Sequence, residues 1–138
     1  MRSSELDNLV AIGELKRGES SRREVELLLR SGRARLEDAR NESLALESRF
    51  DLAYNAAHAL ALAALRHRGY RSDHRFTVFQ VLPHTVGVPT SVWRVLAKAH
   101  GERNLIEYEG GGEVDERLLA DLITATDAVE RAVSALIS

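Results

Sequence analysis

The 138-residue sequence contains no cysteine, which excludes disulfides, thiolate catalysis and zinc sites built on cysteine. No stretch reaches the roughly 18 uninterrupted apolar residues a membrane span requires. The opening Met1-Arg-Ser-Ser-Glu-Leu-Asp7 also lacks the apolar region of a secretory signal, so the expectation is a cytoplasmic protein without a membrane segment. Lysine is nearly missing, because Lys16 and Lys98 stand alone and arginine supplies every other basic side chain. A strong excess of either charge is missing too. The formal net charge is −2, although residues 1–71 carry 13 basic against 11 acidic groups and residues 72–138 carry 6 against 10. A chain with that balance lacks the global field of a nonspecific nucleic-acid binder, and any contact with RNA must be local. There is no glycine-rich phosphate loop after a strand, and Gly110-Gly-Gly112 lacks the Lys and Ser/Thr of a nucleoside-triphosphate loop.

With 44% hydrophobic and 29% charged residues, the chain has a globular balance and the length of one domain. Its periodicity predicts an all-α, single-domain antiparallel helical bundle of about five helices spanning 1–138, with an N-terminal helix and turn over 1–18 and a core bundle over 20–137. Leu6, Leu9, Val10 and Leu15 define the first helix, and Gly18 stops it. Ser21 and Glu24 have capping-box spacing and open the second helix, whose inward residues are Val25, Leu28, Leu29 and Leu36. Asn41 or Ser43 is positioned to cap a third helix that reaches His67 and ends at Gly69. Alanine recurs there at 53, 56, 57, 59, 61, 63 and 64, so neighbours can approach closely and this helix is expected at the centre. Ser72-Asp73 is expected to cap a shorter helix through Phe76, Phe79 and Leu82, broken by Pro83. The same run could form a strand, but no second strand is apparent to pair with it. Thr90 or Ser91 then caps a helix running to Ile106 that the three glycines end, and Asp115 caps the last helix.

The five histidines do not form a metal-ligand motif, and neither a metal nor a cofactor is expected. His58 lies inside the alanine helix, either as a hydrogen-bonded core histidine or as a pocket residue facing the helix around 103. His100 precedes the segment Glu102-Arg-Asn-Leu-Ile-Glu-Tyr108. Arg103 can fork onto a phosphate and Asn104 can hold a hydroxyl or base edge, a pairing suited to a phosphodiester. Arg103 also stands four residues before Glu107, the spacing of a helical ion pair. On a regular helix Arg103 and Tyr108 point about 140° apart. Either the helix breaks after Arg103, or a second copy completes the site.

The alanine helix Glu47–Leu65, its Arg66-His-Arg-Gly-Tyr70 end and the Arg103-Asn104 segment together resemble the HEPN family over about residues 20–137. HEPN domains are small helical bundles that act on nucleotides and RNA. The resemblance implies a homodimer in which two arginine-polar motifs share one cleft, with a nucleotide or RNA as ligand. It further implies either a toxin or the substrate-binding partner of a small nucleotidyltransferase. In the RNase members a histidine follows the arginine by four to six positions; here that place belongs to Tyr108. The resemblance thus assigns catalytic positions to Arg103, Asn104 and Tyr108, while His58 and His100 are the candidate binding residues read from their own positions. Metal-independent RNA cleavage needs a base that titrates near neutrality, which tyrosine does not. The alternative is a noncatalytic interaction and dimerisation module in which the same residues brace the bundle.

Overall fold

The fold is organised by a 22-residue helix, α3 (Leu46–His67), in the computed structural model, which describes residues 4–110 and 113–138, with backbone only at Tyr108 and Glu109. Ala53, Ala56, Ala57, Ala61, Ala63 and Ala64 of α3 are all buried, together with Phe50, Tyr54, Leu60 and Leu65. Short side chains on several faces let other helices pack on α3 from more than one side. The α2 helix (Arg22–Ala39) and the α7 helix (Glu116–Ile137) pack along it, and α7 also contacts α2. Gly32 of α2 sits at the closest approach, where an added Cβ would fall 2.5 Å from Leu60 Cγ. The sequence gives this glycine the look of a weak point in the helix; its role in the fold is contact. Arg33 reaches Glu130 at 2.8 Å and Arg40 reaches Asp127 at 2.8 Å, tying α2 to α7 across the surface.

Helix boundaries follow local chemistry. The amide of Glu24 donates to Ser21 Oγ at 3.1 Å, as the capping-box spacing requires. The Glu24 carboxylate also pairs with Arg66 and Arg71, and the Ser21 backbone amide adds to their effect. Burial would raise this carboxyl, but the bond from Arg71 and the charges of Arg66 and Arg71 outweigh it and hold its pKa below the usual value. Asn41 supports the turn before α3 by accepting from the Ser43 amide, and the helix itself begins after Ala45. Asp115 caps α7, accepting from the Leu118 amide at 2.6 Å.

Two segments differ from the expected strand-free bundle. The first helix, α1 (Ser4–Ala11), ends early, and Gly13 turns the chain at φ +84°. The chain then runs extended as β1 (Lys16–Arg17), antiparallel to β2 (Tyr70–Arg71), pairing Lys16 with Arg71 and Arg17 with Tyr70. Gly69, at φ +91°, allows the return after α3, and its carbonyl accepts from the Gly18 amide at 2.9 Å. The Tyr70 hydroxyl donates to Asp7 at 2.6 Å, and Arg17 pairs with the same carboxylate at 2.8 Å. This small clasp fixes α1 to the end of α3. Two residues per strand carry too little alternation for sequence periodicity to reveal them.

The other difference lies around Pro83. The stretch 75–82 is helical as expected, but it divides into α4 (Arg75–Gln80) and α5 (Leu82–Thr85). Pro83 occupies the first turn of α5, where its missing N–H costs no helical bond, so it begins a helix instead of ending one. His74, not Ser72 or Asp73, holds the position before α4, while Ser72 Oγ accepts from the His74 amide. Then α6 (Thr90–Asn104) follows Pro89 without a side-chain cap, packs on α7 and α4, and continues as a π-helical turn over Leu105–Glu109. Gly110, at φ +67°, ends that turn; Gly111 and Gly112 lie outside the described residues.

Two substitutions test this packing. Ala57→Leu should destabilise the protein by about 1–3 kcal/mol through overpacking. Gly32→Ala should also destabilise it, although alanine is favoured over glycine in a helix by about 1 kcal/mol, because the buried Leu60 has little room to retreat. Urea denaturation measures both, and a stabilised Gly32→Ala would contradict the close approach of α2 to α3.

Candidate functional site

The residues singled out for chemistry come from three helices. On α3, Tyr54 and His58 are one turn apart and face the same side. On α6, the same spacing joins His100 to Asn104, with Arg103 beside them. The short α4 brings Arg75, Phe76 and Phe79 across the gap. His58, His100, Arg103 and Asn104 therefore assemble around a core residue, Tyr54.

Tyr54 is fully buried, and its hydroxyl lies 2.8 Å from His100 Nδ1. His100 Nε2 lies in turn 3.3 Å from Asn104 Nδ2. Two tautomers satisfy this chain. In one, the Asn104 amide donates to Nε2 and His100 donates from Nδ1 to the phenol oxygen. In the other, the phenol donates to Nδ1 and the amide is turned to accept from Nε2. Both need a neutral imidazole. Burial lowers the His100 pKa, and the charges of Arg103 and Arg75 lower it further.

Two arginines attend the Tyr54 ring. The guanidinium carbon of Arg103 stands 5.0 Å from the ring centroid and that of Arg75 stands 5.4 Å away, both within cation–π range. Phe50 stacks against the same ring and Phe79 meets it edge-on at 5.8 Å. Burial raises the Tyr54 pKa while the two arginines oppose that rise. Arg75 donates to the neutral amide oxygen of Asn55 at 3.1 Å, and Asn55 is held by the Asp51 carbonyl. Arg103 forms the anticipated pair with Glu107 at 3.2 Å, and its buried Nε has no hydrogen-bond partner.

His58 completes the cluster, with its ring edge-on to Phe79 at 6.1 Å. Its pKa is pushed down to about 4, first by burial and then by the charges of Arg75, Arg66, Arg103 and His100. At neutral pH the positive charge of the site therefore belongs to the arginines, and both imidazoles are neutral.

The backbone of Tyr108 lies in the π-helical turn, and its side chain lies outside the described residues. The α-helical spacing used to separate Arg103 from Tyr108 does not hold beyond Asn104, since the turn changes the angular step. Of the remaining histidines, His74 precedes α4, His67 ends α3, and His84 borders a depression beside α1. Among the described residues no group of three or more His, Asp or Glu side chains is arranged to hold a metal ion. Nor, among them, is any helix long and apolar enough to cross a membrane.

Sequence reasoning missed Tyr54, Asn55 and Arg75 as parts of the site. The i, i+4 spacing of Tyr54 and His58 was a usable signal for the first. Nothing in the sequence pointed to Arg75, which arrives through the turn between α3 and α4. Depressions between α6 and α7, about 260 Å³, and beside Arg49, about 420 Å³, are lined by none of Tyr54, His58, Arg75, His100 and Arg103. Chemistry rather than concavity marks the Tyr54 cluster as the candidate site.

Fold and site together define an all-α helical bundle with a basic cluster backed by aromatic rings. No protein-family model, curated protein or solved structure matches the chain.

The depressed pKa of His58 has a consequence for stability. An unfolded histidine gains its proton near pH 6.5, while folded His58 resists protonation until about pH 4. The unfolded state therefore binds more protons between these values, and stability falls as the pH is lowered through that window. From pH 7 to pH 5 His58 should account for a loss of roughly 2 kcal/mol, and His100 adds to it in the same direction. Urea denaturation at the two pH values should show that His58→Leu reduces the loss. An equal loss in wild type and variant would contradict the burial of His58 among cations.

Proposed function

We propose that this chain is a HEPN-like domain that binds the phosphate of a nucleotide or RNA between Arg75 and Arg103. The observation carrying this reading is the pair of guanidiniums over the buried Tyr54 ring, beside two imidazoles that are neutral at physiological pH. Arginine forks match phosphate oxygens, and Asn104 adds an amide for a ribose hydroxyl or base edge. The patch is local, in keeping with a net charge of −2. RNA bound here would show a shallow dependence on salt, because few phosphates are neutralised.

Cleavage is a separable layer of the proposal. Taking the proton from a 2′-hydroxyl requires a neutral acceptor within reach, and His100 can serve only by giving up its bond to Asn104. Its lowered pKa makes it a weaker base than an ordinary histidine, so catalysis through it would be slow. A histidine at position 108 would supply a base where the family carries one. In this reading the protein works as a homodimer, and Leu105 and Ile106, 39% and 37% exposed immediately after Asn104, offer an apolar rim for the second copy. A small nucleotidyltransferase is the partner that the HEPN resemblance adds, with this chain as toxin or as substrate-binding subunit.

A second reading rests on the Arg103–Glu107 pair and the Arg75–Asn55 bond, which give both arginines intramolecular partners. On that reading the cluster braces a noncatalytic interaction module. The two differ in what Arg103→Ala does. For a phosphate site, binding of a fluorescent single-stranded oligoribonucleotide should weaken by about 10–100-fold, the loss of one charged hydrogen-bonding group, with little change in melting temperature. Tyr108→His should then raise metal-free cleavage above wild type. An Arg103→Ala protein that melts earlier, with no RNA binding by the wild type, would establish the brace.

A further inference from the structure

Beside the arginine pair lies an aromatic ring that the core does not use. Phe76 follows Arg75 directly, yet it is 42% exposed. The ring is nonetheless held in place. Trp93 meets it edge-on at 6.1 Å, and the His100 ring lies 6.1 Å away at a tilt of 55°. An exposed aromatic ring already fixed by its neighbours loses little conformational freedom when a planar ligand covers it.

Its position relative to the arginines defines the ligand. Arg75 and Arg103 stand over Tyr54, whereas Phe76 stands beside His100, and the Tyr54 and His100 ring centroids are 6.2 Å apart. Phe76 also follows Arg75 directly in the chain, so the aromatic position adjoins the cationic one through the Tyr54–His100 contact. We propose that Phe76, steadied by Trp93, is a stacking platform for the nucleobase whose phosphate Arg75 and Arg103 hold, so that the ligand is a nucleotide or a single-stranded RNA end. This deepens the proposed phosphate site and rests on it.

A second copy of the chain is the competing occupant of the ring. A stable protein interface uses roughly 800 Å² from each partner, far more than one exposed ring provides. A base carrying a phosphate also satisfies the adjoining cations, which an apolar side chain from another copy does not. Every base presents a π face, so the platform predicts affinity for bases in general with little preference among them.

Calorimetric titration of the full chain with AMP and with ribose 5-phosphate separates the two parts of the site. Wild type should bind AMP roughly tenfold more tightly than ribose 5-phosphate, the contribution of one stacked base. Phe76→Leu should remove that ratio and leave ribose 5-phosphate binding unchanged, while Phe76→Trp should preserve it. Equal affinity of wild type for the two ligands would overturn the platform and leave the phosphate site standing. Failure of both ligands to bind would overturn the phosphate site and the platform with it. Sedimentation velocity provides the remaining arm: a Phe76→Leu protein that falls from dimer to monomer would assign the ring to a protein interface and overturn the proposal.

Discussion

The close packing against α3 is the constraint on which the rest of the structure depends. Its alanines leave the helix thin enough for α2 and α7 to lie along it and for α4, α5 and α6 to reach its remaining surface. Gly32 extends the same economy to the opposing helix, where even a methyl group would meet Leu60. Tyr54 is the bulky, polar-tipped exception within this small-residue surface. Fully buried, its hydroxyl must find a partner, and it finds His100 on α6. The same contact that satisfies the core therefore positions the candidate site.

From that anchor the electrostatics follow. Two guanidiniums gather at the Tyr54 ring, and their charge together with burial keeps His58 and His100 neutral. Arg103 has a carboxylate partner, Glu107, while Arg75 rests on the amide of Asn55. Unequal partnering of two neighbouring cations leaves the cluster net positive. The π-helical turn after Asn104 belongs to the same region, and such turns often occur where helices bear function.

Much of the fold was legible because long amphipathic helices announce themselves. The alanine spacing of α3, the Ser21 and Asp115 caps and the terminating Gly69 and Gly110 all act through local backbone chemistry that a sequence displays. The β1–β2 clasp was hidden by its length, and the role of Pro83 depended on whether it fell inside a helix or at the start of one. The site was half legible. Arg103, Asn104 and His100 share one helix, so their grouping follows from spacing alone. Arg75 and Tyr54 join them only through tertiary packing, for which a single sequence holds no marker. Tyr108, the position where the HEPN resemblance departs, has its side chain outside the described residues.

The central claim is that Arg75 and Arg103 form an anion site on the Tyr54 ring. Its most direct test is NMR observation of the arginine Nε–H groups during titration with a short single-stranded oligoribonucleotide. The account predicts saturable shifts of Arg75 and Arg103, with Arg33 and Arg40 on the α2–α7 surface unmoved. Shifts confined to arginines outside the cluster, with Arg75 and Arg103 unchanged at saturation, would contradict it.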